Sequence, residues 1–251
     1  MMHRRITGLA VTAAAAGTAA IALVLPAGSL AGAATTASHP GIPAIYTTRS
    51  AGYVTGGSWR FRFVQTYVTV PPCPADPGNN TLASAGLAGG SGYLASIAIV
   101  CGGGASSVGY LDHHFRNGAF RLSPRVGDVL RISVYRDQKR SRDYFTVADV
   151  STGRAQTVAV TTARDVVYRH AVLAVSVDNT KVSRPGRDLR LWSFQRSRVT
   201  SGSGVRGWLR GPWATQRLVD TATGTAAGTV IMSPSYPWRK GQHFGVWLRH
   251  H

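Results

Sequence analysis

The sequence predicts an all-β, single-domain protein, an antiparallel sandwich or barrel that follows an export signal. Three observations predict it. Short runs of alternating apolar and polar residues succeed one another along most of the chain, as in "DVLRISVY", where Leu130, Ile132 and Val134 oppose Arg131 and Ser133. Gly- and Ser-rich turns separate these runs. Outside the N-terminal apolar region no window holds a 3.6-residue period over a helix-length span.

In chain order, "MMHRR" supplies a basic start and an uncharged apolar region follows, closing on Ala31-Gly32-Ala33, a small-x-small cleavage pattern. Residues 1–33 are expected to be a cleaved signal peptide; the alternative is an uncleaved membrane anchor, since the apolar region is long enough. No later segment is apolar for long enough to span a bilayer. Residues 34–51, small, polar and proline-containing at their start, are expected to form a flexible leader, and residues 52–251 the folded domain.

Within the domain, "SWRFRF" places Trp59, Phe61 and Phe63 opposite Arg60 and Arg62, and then Val64, Thr66, Val68 and Val70 take the other phase. A period of two that slips by one predicts a bulge near Phe63. Pro71 and Pro72 end that strand. "DYFTVADV" and "RAQTVAV" flank Ser151-Thr152-Gly153, a predicted hairpin turn. "HAVLAVSV", "DLRLWSF", "GTVIMS" and "HFGVWL" add further strands.

The formal charge is +18, and loss of Arg4 and Arg5 with the signal leaves +16. Basic residues are nearly all arginine, with Lys139, Lys181 and Lys240 the exceptions, and the acidic residues are all aspartate: the chain contains no glutamate. Such a balance favours an anionic partner, a polymer or polysaccharide at the cell surface. The arginines are scattered among strands without a recognised nucleic-acid motif, which argues against a dedicated nucleic-acid binder.

The order of motifs carries a resemblance. "GYVTGGSWRFRFVQTYVTVPPC" resembles the opening of the secreted acid glutamic peptidases, the eqolisins, and "LASAGLAGGSGYLASIAIVCGGG" is similar to their next block. "VGYLDHHF", "SPRVGDVLRISVY", "FTVADVSTGRAQ" and "HAVLAVSV" follow in the family's order, so the resemblance runs from Gly52 to Leu248. It implies a concanavalin-A-like antiparallel sandwich of the jelly-roll type, with a cleft on a concave face where a Gln/Glu pair activates water and stabilises the tetrahedral intermediate. Cys101 falls at the position of the glutamine and Val172 at that of the glutamate. Valine transfers no proton and cysteine supplies no amide donor, so the resemblance is to the family without its chemistry. No metal or cofactor is implied, and a monomer is expected.

Cys73 and Cys101 are the only cysteines. In an exported chain they are expected to pair, with a buried free thiol or a nucleophilic Cys101 as the alternatives. On a strand, Asp112 and His114 would share one face with His113 opposite, and Tyr110, Asp112 and His114 are the candidate cleft residues. They offer an acid–base pair, or simply a hydrogen-bonded Asp–His pair; two metal ligands fall short of a zinc set. Trp208, Trp213 and Trp238 stand beside Arg and Gly in predicted loops, suited to stacking on sugars or to packing at the edge of the core. The functional expectation is a secreted non-catalytic relative that binds at the cell envelope; the alternative is a hydrolase of altered mechanism using Asp112 and His114, or Cys101.

Overall fold

The computed structural model describes residues 42–47, 50–75, 80–89, 94–177, 189–209, 211–221, 224–239 and 242–248. The predicted signal peptide lies outside the described residues. No helix among the described residues is long and apolar enough to cross a membrane.

Sixteen strands form among the described residues: β1 (Ala44–Thr47), β2 (Ser50–Gly56), β3 (Phe61–Thr69), β4 (Thr81–Ala88), β5 (Leu94–Gly102), β6 (Ala105–Leu111), β7 (Asn117–Ala119), β8 (Val129–Asp137), β9 (Arg142–Asp149), β10 (Ala155–Thr161), β11 (His170–Val177), β12 (Leu189–Ser201), β13 (Arg206–Gly207), β14 (Ala214–Thr221), β15 (Val230–Pro234) and β16 (Phe244–Leu248). Hydrogen bonding runs in one path, β10-β9-β8-β3-β12-β16-β15-β14-β2-β11-β4-β5-β6-β7. The path doubles over itself, so that β3 and β8 face β4, β5 and β11 across a shared core. Every pairing between these described strands is antiparallel except that of β1 with β14. The predicted all-β sandwich is the observed fold.

The interlayer core follows from the period of two. Leu130, Ile132 and Val134 of β8 and Phe145 and Val147 of β9 meet Ala83, Ala85 and Leu87 of β4 and Ile97, Ile99 and Cys101 of β5, all fully buried. The phase slip in β3 is real: Phe63 pairs with Thr200 and Phe61 with Ser201, so β3 and β12 lose register there, and Phe61 and Val64 are both buried while Arg62 and Phe63 are not. The predicted hairpin at Ser151–Gly153 joins β9 to β10, with Asp149 accepting from the N–H of Ser151 at 2.9 Å. "CGGG" resolves into the β5–β6 hairpin: Gly102 pairs with Ala105, and Gly103 and Gly104 both have positive φ (59° and 75°), which a two-residue hairpin loop of this twist requires.

Two expectations are corrected here. The end of the predicted leader is folded: β1 and the start of β2 fall inside residues 34–51, and Ala51 is fully buried. Tertiary pairing outweighs the polar, proline-containing composition, because β1 completes its hydrogen bonds on β14, more than 170 positions later. The second concerns "YLDHHF". β6 ends at Leu111, and Asp112 to Arg116 form a turn into β7, not a strand. Asp112 Oδ1 accepts from the backbone N–H groups of His114 and Arg116, each at 2.9 Å, so its side chain closes the turn.

Candidate functional site

Two regions bear on function: the face of the β14–β7 layer turned away from the core, and a groove at one end of the sandwich.

Register fixes what lines the outer face. Gln216 pairs with Val54, Val54 with Val172, Val172 with Gly86, Gly86 with Ser96 and Ser96 with Leu111, so these six residues form one row across five interstrand pairings. Val172 lies at its centre. It is buried among Val54, Ala88, Leu94, Leu111, Ala174 and Leu218, with Ile45 of β1 packed on them. Gly86 leaves no room beside it: a Cβ there would lie 2.8 Å from that of Ser96. Four positions past Gln216 on β14 lies Asp220, on the order of 15 Å from Val172 by strand spacing and rise and paired with Met232 of the interlayer core at a register shift. Asp220 is fully buried, neither carboxylate oxygen has a hydrogen-bond partner among the described residues, and burial pushes its carboxyl up to about 7.

The sequence-predicted site residues do not assemble here. Cys101 and Val172 point to opposite faces of the layer: Cys101 shares its side with Ile97 and Ile99 in the interlayer core, while Val172 belongs to the outer cluster. Two positions on opposite faces cannot serve one substrate. Cys101 is joined to Cys73, with their Cα atoms 4.9 Å apart, and this is the expected disulfide; no thiol remains for chemistry. Tyr110 also turns inward, its ring stacked on Phe145 at 5.0 Å and edge-on to Phe120 at 5.7 Å. Asp112 is buried and His114 exposed. Burial opposes ionisation of Asp112, but hydrogen bonds from Arg116 and His114 outweigh it and hold the carboxyl below its usual range. Asp112 therefore binds the backbone N–H of His114 and the Arg116 guanidinium, and the turn breaks the expected side-by-side pair. Among the tryptophans, Trp213 is core packing, edge-on to Trp59 and Phe61. Trp208 is half-buried, and Trp238 is exposed and stacked on His243 at 6.0 Å.

The groove holds what the outer face lacks. It has a volume of about 1170 Å³ and is built from four stretches distant in sequence: residues 58–62, residues 135–140 around the β8–β9 turn, residues 166–168 before β11, and Gly202 and Ser203 after β12. Backbone bonds lock these together, Phe61 N–H to Tyr168 O at 2.8 Å and Gly202 N–H to Arg60 O at 2.7 Å. Arg60, Arg62, Arg136, Lys139 and Arg140 line it against one carboxylate, Asp137. Arg131, on the polar side of the "DVLRISVY" strand, pairs mid-sheet with Tyr67 and does not line the groove.

Beneath the groove lies a buried polar cluster. Arg136 Nη1 is 3.5 Å from Asp143 Oδ1, and the Tyr168 hydroxyl donates to Asp143 Oδ2 at 2.6 Å. Burial pushes the Asp143 carboxyl up to about 6 even though Tyr168 and Arg136 favour its charge. Among the described residues no group of three or more His, Cys or Asp side chains is placed to hold a metal ion.

Neither a family model nor a curated protein matches the chain. Solved structures do match in fold, glutamic peptidases among them. Scytalido-glutamic peptidase bound to a peptide-based transition-state analogue aligns with a TM-score of 0.62 at 15% identity, over 80% of this chain and 98% of that one. SCP-B, a member of the eqolisin family in complex with the tripeptide Ala-Ile-His, aligns with a TM-score of 0.60 at 14% identity, over 80% and 98%. Aspergilloglutamic peptidase from Aspergillus niger aligns with a TM-score of 0.51 at 16% identity, over 67% and 98%. At these identities the likeness is one of fold, and it agrees with the fold that the motif resemblance implies.

Proposed function

We propose that this protein is an exported, non-catalytic relative of the glutamic peptidases that binds an anionic partner at the cell envelope. The observation that carries the reading is the outer face itself. A peptidase of this fold is expected to keep an ionisable group in contact with substrate, because a general acid or base must come within about 3 Å of the proton it moves. Here Val172 is sealed among apolar side chains, and the chain has no glutamate to put in its place. The fold alone confers no activity. An altered mechanism through Cys101, or through Asp112 with His114, has no support in the geometry: the first is in a disulfide and the others are separated by burial and by the turn. Export is supported by the signal-like N-terminus and is compatible with the disulfide.

The test is a peptidase assay on unfolded protein substrates between about pH 2 and 5, where a carboxylic acid would be protonated. No turnover is expected. Turnover that survives stringent purification and disappears in Asp220→Asn, the variant of the buried acid of β14, defeats the non-catalytic reading. N-terminal sequencing of secreted material is expected to begin near Ala34.

A further inference from the structure

We propose that the end groove is the binding site for an acidic polysaccharide, a sugar chain bearing carboxylate or sulfate groups, and that the buried Arg136 guanidinium anchors one of those groups through its charge. This rests on the binding reading above and assigns it a place and a ligand class.

Arg136 is the built part of the site. Its side chain is 4% exposed yet lines the groove. Nη2 donates to Ala163 O at 2.7 Å; Nη1 contacts Asp143 only at 3.5 Å, and Nε and Nη1, themselves buried, have no hydrogen-bond partner among the described residues. A buried guanidinium so loosely paired is costly, and its charge, little screened by water beneath the groove, favours a carboxylate or sulfate seated above it. Around this anchor, Arg60, Lys139 and Arg140 stand exposed and Arg62 half-exposed, so further anionic groups along the same chain find partners at the rim.

The remaining lining suits a sugar polymer. Ser58, Ser203 and Gln138 offer neutral donors and acceptors for hydroxyl groups. Asp137, 3.9 Å from Arg140, accepts from a sugar hydroxyl between the anionic groups. Trp59 and Tyr135 supply apolar ring surface on which a pyranose lies. The volume exceeds that of a typical small-molecule pocket and suits several sugar units.

Asp143 gives the site a signature. The groups facing its carboxyl are Arg136 from β8, Tyr168 from the segment before β11, and Asp112 from the β6–β7 turn, with His113 and Arg116 of that turn acting on the same cluster. While Asp143 is ionised it partly neutralises Arg136; once it is protonated the full guanidinium charge is available to a ligand. Burial places that change near pH 6.

The experiment measures binding of the mature protein to polygalacturonate, heparin, neutral dextran and a single-stranded DNA oligonucleotide across a salt series. The expected result is retention on polygalacturonate and heparin that falls steeply with salt, none on dextran, and weaker retention on DNA. Arg60→Glu with Arg140→Glu, both exposed and tolerable to the fold, is expected to weaken uronate binding at least tenfold, and Arg125→Glu with Arg154→Glu, exposed arginines outside the groove, less than twofold. Wild-type affinity is expected to rise severalfold from pH 7.5 to 5, and Asp143→Asn to abolish the rise. If both double variants weaken binding alike, the protein binds polyanions but not in this groove. Tighter binding of DNA than of polygalacturonate overturns the ligand class, and a pH response that persists in a folded Asp143→Asn overturns the anchor role of Arg136. If no anionic polymer is retained even at low salt, the binding reading fails together with the site.

Discussion

The outer face around Val172 and the groove around Arg136 are built from the same strand chemistry and end up opposite in character. The face is a row of small and branched residues, Val54, Val172, Gly86 and Ser96, fitted so closely that a methyl group at Gly86 would collide. The groove collects arginines from strand ends and turns, with a buried guanidinium that is not fully satisfied. Regular pairing explains the first: mid-strand residues inherit neighbours at fixed spacing, and small side chains let the surface close. Irregular connections explain the second, because strand ends carry long charged side chains that need not pack. A fold known from peptidases can thus fill the face where chemistry is expected and still present a charged recess elsewhere.

The strongest way to break this contrast is Val172→Glu. A carboxylate forced into the outer cluster is expected to cost about 4 kcal/mol or more, since nothing nearby pairs with it; urea unfolding at pH 7 reads the loss. A variant as stable as wild type means that the face opens to water and the contrast is wrong.

Next in size is the disulfide, which secures β5 from the core side of the same layer. Replacing Cys73 and Cys101 by alanine releases a closure across 28 positions and is expected to cost about 3–4 kcal/mol. Mass spectrometry with and without reductant, followed by denaturation of the double variant, checks both the bond and its worth.

Asp220 is the buried acid of β14, beyond the row that holds Val172. Its folded carboxyl titrates near 7 and an unfolded one near 3.8. Between those values the folded state binds the extra proton, so stability falls as pH rises from about 4 to 7 and levels off above, by on the order of 2–4 kcal/mol from this group. Asp143, pushed up to about 6, acts in the same direction over a narrower window. Asp220→Asn is expected to match wild type at pH 4 and to exceed it at pH 8 in thermal melting; equal pH profiles would show that Asp220 is not buried as described.

The smallest effect sharpens the groove. Arg60→Glu is expected to change stability by less than about 0.5 kcal/mol, as befits an exposed side chain, while lowering the salt concentration at which the protein leaves a heparin matrix. A large stability loss would make Arg60 a structural residue.

Much of the fold was legible. The alternation in "DVLRISVY", the slip at Phe63 and the turn at Ser151–Gly153 all appear where the sequence put them, because each depends on residues adjacent in the chain. The cysteine pair was legible from number and from the signal-like N-terminus. The candidate site was less so. Asp112 and His114 read as neighbours on a strand because their spacing is two, yet Asp112 turns back to accept backbone N–H groups and ends the strand. Cys101 and Val172 were matched by motif, and the alternation of each strand then put them on opposite faces.

By itself the sequence determined the all-β class, the absence of glutamate, the strong positive charge and the one available disulfide, since composition and period-two patterning act locally. Only the tertiary structure decided that β1 joins β14 and that Val172 is sealed in an apolar row. It alone decided that Arg60, Arg136, Tyr168 and Ser203 share one groove. Those relations join residues up to 170 or more positions apart, and they exist only once strand pairing has chosen which ends of the chain meet.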